Sequence, residues 1–324
     1  MKKYYHHAGY SPMMTTPDHM YNVFDRTRAM IDIPQMECLT PIGNLVEPKT
    51  VSELCYASAQ NILKNAESKK IYVTWSGGID STLVLSELLK YTPGDQLVVM
   101  MDNNSIKEYP DFYNKYIKDK LKNTEMDFYT DNPLREAIKD GIVVTGHLMD
   151  PVFGANIYQA IPEEKLKQSI PDFLKNLNLT SRLRYTKLLN ACPRAIENVK
   201  DFFWWMDYTL NYQSEQLMWL LEIHDMVLDK NLFHFGAGED WNNYAVSTPA
   251  EIKWPGYDFR KYKQVVKDHI FDFTKDEFYT KEKIKMPSWR HYRTNEQRLK
   301  DKAVWIDTDW KRGYLPPNFN FEGF

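Results

Sequence analysis

The run Ser76-Gly77-Gly78-Ile79-Asp80-Ser81, set within YVTWSGGIDSTLVL at positions 72–85, combines residue types suited to holding an anion. Two adjacent glycines permit positive φ and let main-chain N–H groups approach a ligand. Ser76 and Ser81 add hydroxyl donors, and a helix beginning after the loop adds the positive end of its dipole. Such a cradle is built for phosphate. Asp80 inside it repels a phosphate unless a cation lies between them, which makes Asp80 a candidate Mg²⁺ ligand. The plainer alternative is a Gly-rich turn with Asp80 solvated at a helix N-terminus. The Gly-Lys-Ser/Thr ending that supports γ-phosphoryl transfer in P-loop enzymes is missing.

For this chemistry the loop must leave a strand and enter a helix, and the surrounding pattern supplies both. A capping box at Thr50-Val51-Ser52-Glu53 opens a helix carrying Leu54, Cys55, Ile62 and Leu63 and ending near Lys69. Alternating elements follow: strand Ile71–Trp75, helix Ser81–Tyr91, strand Gln96–Met101, a helix opened by Pro110, a short strand Asp127–Thr130, a helix from Pro133 closed by Gly141, and strand Ile142–Thr145. Continuous apolar strands separated by helices predict an α/β fold with a parallel sheet covered on both faces. Ligands of such sheets bind beyond the carboxyl ends of the strands, where both Ser76-Gly77-Gly78 and Gly146-His147 emerge. After about residue 155 the strands are expected to stop. Segments such as Ser214–Lys230 read as helices, the tail Gly313–Phe324 as extended, and residues 1–49 as an irregular arm.

SGGIDS resembles the pyrophosphate loop of the ATP-pyrophosphatase (PP-loop) superfamily, and VVTGHLMDPVFGANIY resembles the second signature of its asparagine synthetase and β-lactam synthetase branch. Thr145-Gly146, Asp150 and Phe153-Gly154 match in order and spacing, whereas Pro151 replaces a Glu and Ala155 replaces a Gly. The resemblance, carried in segments over about residues 50–290, implies an adenine nucleotide α hydrolase-like core over residues 50–158. It also implies a helical region over 159–324 that completes the active site. Ser76, Gly77, Gly78, Asp80 and Ser81 would hold the pyrophosphate of ATP, Gly146 would lie against the nucleotide, and Asp150 would join Asp80 on Mg²⁺, unless Asp150 is only a turn residue before Pro151. His147 stands where the family handles the proton of an attacking amine; it is equally readable as a structural histidine. In DFRKYKQVVKDHIFDF the family's Lys-x-x-apolar-basic pattern is met by Lys263, Val266 and Lys267, so Lys263 would face phosphate and developing charge. The alternative is a solvated basic face shared with Arg260, Lys261 and Lys267. In FGAGEDWNNYAV, Glu239 and Tyr244 match a further signature, making Glu239 a weaker candidate for substrate contact or proton handling.

The implied activity is amide formation: ATP adenylates a substrate carboxylate, then ammonia or an amine displaces AMP. The chain opens Met1-Lys2, without the catalytic cysteine of the family's glutaminase domain, so nitrogen is expected from free ammonia, a glutaminase acting in trans, or an amine. Two other readings compete: a PP-loop enzyme that adenylates a nucleic-acid base, and a nucleotide-binding protein without chemistry. Lys+Arg at 41 against Asp+Glu at 44 gives a net charge of −3, which provides no global basic field for nucleic acid. Cys38, Cys55 and Cys192 lie far apart, arguing against disulfides, zinc or a redox pair and for a reducing cytoplasm. No apolar run is long enough for a membrane span, and 43% hydrophobic residues over 324 positions are enough for a substantial core.

Overall fold

The computed structural model describes residues 3–7, 25–30, 38–125, 132–154, 163–213, 215–216, 231–283, 303–307 and 312–314. Strands β1 (Lys3–His7), β2 (Lys70–Thr74), β3 (Leu97–Met101), β4 (Lys122–Glu125), β5 (Gly141–Thr145), β6 (Leu232–His234), β7 (Ala303–Asp307) and β8 (Arg312–Tyr314) form two sheets. The larger has the order β4-β3-β2-β5-β6, and every neighbouring pair is parallel. The smaller, β1-β7-β8, is antiparallel, so the arm contributes a strand at Lys3–His7 where an irregular path was expected.

LVVMM in β3 and GIVVT in β5 are buried along their whole length, as strands covered on both faces must be. Helix α1 (Val51–Ala66) starts at the expected Thr50/Glu53 capping box and turns Val51, Leu54, Cys55, Ala59, Ile62 and Ala66 inward at helical spacing. Helix α2 (Ile79–Leu88) is buried on almost every side, since it lies among β2, α1 and the helix Gln264–Thr274. One hydrophobic cluster runs from Val51 to Tyr279 and so draws on both halves of the chain. Among the described residues, no helix is long and apolar enough to cross a membrane.

Two further expectations change. Strands do not end near residue 155, because β6 extends the parallel sheet beside β5. At three half-buried residues it is too short to show an alternating pattern. The helix opened by Pro110 is only Pro110–Phe112 followed by a π turn at Tyr113–Ile117, and the next strand begins at Lys122. The strand expected over Asp127–Thr130 lies outside the described residues, as does the helix expected over Ser214–Lys230 apart from Glu215 and Gln216.

The strand order reverses at β2: β3 and β4 lie to one side, β5 and β6 to the other. Val73 pairs with Val144, so the loops leaving β2 and β5 emerge side by side at the carboxyl edge. This is the crevice in which open α/β sheets bind ligands.

Candidate functional site

The loop after β2 takes its shape from the residues the sequence singles out. Gly77 has φ +72°, and a Cβ there would sit 2.5 Å from the Ser105 carbonyl oxygen and 2.8 Å from Glu108 Cβ. Only glycine fits, because Ser105 and Glu108 belong to helix α3 (Asn103–Glu108), which is fixed by its own capping box at Asp102. Ser81 Oγ accepts a hydrogen bond from Ser76 N at 3.1 Å and lies 3.0 Å from Ser76 Oγ; Ser76 Oγ accepts from Gly78 N at 3.3 Å. These bonds fold the loop back on the first turn of α2. Gly78 caps α2 without any side-chain hydrogen bond, so the helix presents its first amides and positive dipole end at the crevice. A Cβ on Gly146 would lie 2.8 Å from Asp80 C and 2.9 Å from Ser81 N, so the β5 loop rests directly on that helix start.

Three acidic and basic candidates meet here from distant parts of the chain. Lys263 Nζ donates to Asp80 Oδ1 at 2.5 Å and to Asp150 Oδ1 at 2.6 Å. The lysine side chain has 0% exposure and the carboxylates 21% and 22%. A solvated basic face therefore describes Arg260 and Lys261, which are exposed, and not Lys263. Burial presses the Lys263 pKa downward more than any other single influence, but Asp150 and Asp80 together outweigh it and hold the ammonium above its usual range. Asp150 is likewise more than a turn residue before Pro151.

Each member is held from behind. Asp150 sits in the short helix Met149–Phe153, whose Val152 carbonyl accepts from the buried Trp204 indole at 3.0 Å. That helix is entered through Leu148 at φ +73°, a left-handed conformation in a fully buried leucine. Lys263, at φ +53°, is the N-cap of the helix Gln264–Thr274. Strained non-glycine backbone on both sides of one ion cluster is a pattern of functional sites. The Gln264–Thr274 helix is in turn pinned to α1 and α2: His269 Nε2 lies 2.7 Å from buried Glu87 Oε2, its Nδ1 lies 2.9 Å from Ser52 Oγ, and Lys90 Nζ donates to Glu87 at 2.6 Å.

His147 lies in the turn between β5 and Asp150, and its backbone N–H donates to Thr145 Oγ1 at 3.3 Å. The same hydroxyl lies 2.8 Å from His234 Nδ1 at the end of β6. His234, which sequence reading did not single out, packs behind the loop that leaves β5. Burial, assisted by the nearby His147, pushes its pKa down to about 3 and keeps the ring neutral. Its only sequence signal is position, at the end of LFH before Gly236. Glu239 is not brought into the ion cluster; it is exposed in the first turn of the helix Glu239–Ser247, close to the Lys49–Asp240 ion pair.

On the other side of the loop, a cavity of about 350 Å³ is lined by Glu108, Tyr109, Asp276, Phe278, Tyr279 and Lys283, with Glu108 and Lys283 ion-paired. Lys200 and Lys253 are also buried: Lys200 pairs with Glu251, and Lys253, whose carbonyl accepts from the Lys263 N–H at 3.0 Å, has its ammonium 3.6 Å over the Trp204 ring.

Asp80 and Asp150 converge on the Lys263 ammonium and are the two carboxylates that would hold a magnesium ion here; among the described residues no group of three or more His, Cys, Asp or Glu side chains is placed to hold a metal ion. Mg²⁺ is commonly held in this way, by one or two carboxylates plus substrate phosphate oxygens. Comparison with known proteins adds no relative: no family model matches the chain, and no curated protein matches it.

Proposed function

We propose that this chain is an ATP-dependent, AMP- and pyrophosphate-forming ligase of the PP-loop, asparagine synthetase-like type, which joins a substrate carboxylate to ammonia or an amine. The observation that carries the reading is the convergence of Asp80, Asp150 and Lys263 beside the Ser76–Ser81 loop, at the point where the strand order reverses. Separate surface turns have no reason to bury one lysine between two acids.

In this reading a substrate carboxylate oxygen attacks the α-phosphorus of ATP, and the bond to the bridging oxygen of pyrophosphate breaks. The nitrogen nucleophile then attacks the acyl carbon, and AMP departs. The Ser76–Ser81 amides and the start of α2 receive the negative charge of the departing pyrophosphate. Lys263 supplies a positive charge where charge develops. His147 takes the proton lost by the attacking amine. Asp80 and Asp150 would hold a magnesium ion, which would supply charge neutralisation for the phosphates.

The thiols argue against sulfur transfer to a nucleic-acid base. Burial raises the pKa of Cys38, Cys55 and Cys192 alike, so none is an activated thiolate. The test is incubation with ATP, Mg²⁺ and pooled carboxylates in the presence of hydroxylamine, which traps acyl-adenylates as hydroxamates. Equal release of AMP and pyrophosphate with a hydroxamate product is expected. Release of ADP and phosphate, or an adenylated base from added RNA, overturns the assignment.

A further inference from the structure

The cavity of about 350 Å³ beside the loop has walls whose chemistry adenylation does not use. Four carboxylates line it, those of Glu108, Asp111, Asp276 and Glu282, against one ammonium, that of Lys283. The rest of its lining is Pro110 and three aromatic side chains. Tyr109 and Tyr279 are buried and stacked, with ring centres 4.1 Å apart, whereas Phe278 is 77% exposed. Asp276 is fixed by the Tyr109 hydroxyl at 2.8 Å and by Tyr279 N at 2.9 Å, both of which donate to it, and Glu108 is ion-paired with Lys283. Asp111 and Glu282 are exposed. Carboxylates set around aromatic faces suit an organic ammonium, whose charge meets the acids while its carbon skeleton and N–CH₂ groups rest on the rings. A phosphate or a substrate carboxylate would be repelled there.

We propose that this cavity binds an alkylammonium group, and that the amine joined by the chain carries a second, cationic nitrogen held there. The substrate half of this rests on the reading of the chain as an amide-forming ligase. Position ties the cavity to the reaction. Glu108 forms part of its wall and also packs on the loop, since a Cβ on Gly77 would lie 2.8 Å from Glu108 Cβ. Tyr279 borders the cavity and is near enough to Asp80 to feel its charge: burial above all, then Asp80, Glu108 and Asp276, raises the pKa of its hydroxyl, against a lowering contact with Thr82. A nitrogen that attacks an acyl carbon must be neutral, whereas one bound among carboxylates stays protonated. A diamine meets both demands with one nitrogen in each place. Its neutral nitrogen bonds to the acyl carbon and loses a proton, the bond from that carbon to the AMP oxygen breaks, and the distal ammonium is unchanged. Ammonia, with a single nitrogen, cannot occupy both places.

The experiment is calorimetric titration of the full chain, without nucleotide, with 1,4-diaminobutane and with 1,4-butanediol, its uncharged counterpart. Wild type is expected to bind the diamine with a Kd of about 1 mM or below and to show no heat with the diol. The double variant Asp111→Asn/Glu282→Gln changes exposed positions only and should weaken the diamine about threefold to tenfold; Glu108→Gln should weaken it about tenfold. No diamine binding by wild type overturns the cavity assignment even if no variant folds, as does unchanged affinity in the folded variants. Amide formation from ATP, Mg²⁺ and pooled carboxylates is measured separately with the diamine and with butylamine. The diamine should have a kcat/KM at least about tenfold higher, and Asp111→Asn/Glu282→Gln should narrow that preference. Equal rates for the two amines overturn the substrate assignment. No AMP or amide with either amine, alongside diamine binding that the variants weaken, removes the ligase reading and leaves the ammonium site standing.

Discussion

Replacing Gly77 and Gly78 one at a time by alanine separates the geometric demands of the loop, and the structure gives opposite answers for two adjacent glycines. At Gly77 an alanine meets two costs. Its φ of +72° places an L-residue in the left-handed region, at about 1–2 kcal/mol. Its Cβ would lie 2.5 Å from the Ser105 carbonyl oxygen, so the loop or α3 must shift, at about 1–3 kcal/mol for overpacking. Gly77→Ala should therefore destabilise the protein by about 2–5 kcal/mol, the sum of those ranges. Gly78 has φ −73°, and its added Cβ would meet only the rotatable Ser76 Oγ, at 3.2 Å. Gly78→Ala should change stability by less than about 1 kcal/mol. Denaturant unfolding of both variants measures the difference, and calorimetric titration with nucleotide reports whether the displaced Gly77→Ala loop still binds. Equal unfolding midpoints for the two variants would refute the assignment of Gly77 to a forced left-handed turn against α3.

Three further outcomes are expected. Arg26 donates to the carbonyls of Thr40, Pro41 and Tyr208 and to Asn242 Oδ1, at 2.7–3.1 Å, so Arg26→Ala removes four hydrogen bonds, although Asn242 Oδ1 keeps the Tyr208 hydroxyl and the Thr40 carbonyl keeps Cys38 Sγ; it should cost about 2 kcal/mol or more in chemical unfolding, and Arg26→Lys should recover only part. His234 has a folded pKa lowered to about 3 from an ordinary 6.5, so the unfolded chain binds the extra proton between those values. Its stabilising contribution is complete above pH 6.5 and falls by up to about 1.4 kcal/mol per pH unit as pH drops toward 3. Unfolding curves at several pH values should show that part of the acid sensitivity missing from His234→Asn; parallel profiles would contradict it. His147→Gln should slow amide formation about a hundredfold while leaving substrate-dependent ATP–pyrophosphate exchange near wild type, and equal loss in both assays would make His147 structural.

The parallel core was legible because β2, β3 and β5 are apolar runs separated by helices with recognisable starts, and because two glycines and an acid interrupt the pattern between β2 and α2. β4 was not legible. Its KNTE sequence is polar and mostly exposed at the sheet edge, so neither alternation nor apolarity marks it. Lys263 could be proposed by resemblance, but its burial could not be read locally, since Arg260 and Lys261 give the segment the look of a solvated face. Only the packing of the Gln264–Thr274 helix against α2 takes that lysine to the acids. His234 shows the same limit: its partner Thr145 is 89 residues away, and three residues of strand carry no periodic signal.

The most direct test of the central claim is a crystal structure with α,β-methylene-ATP and Mg²⁺ bound. The account predicts the β- and γ-phosphates on the Ser76–Ser81 loop, a metal between the phosphates and the carboxylates of Asp80 and Asp150, and Lys263 beside the nucleotide phosphates. Nucleotide bound away from the Ser76–Ser81 loop would contradict it.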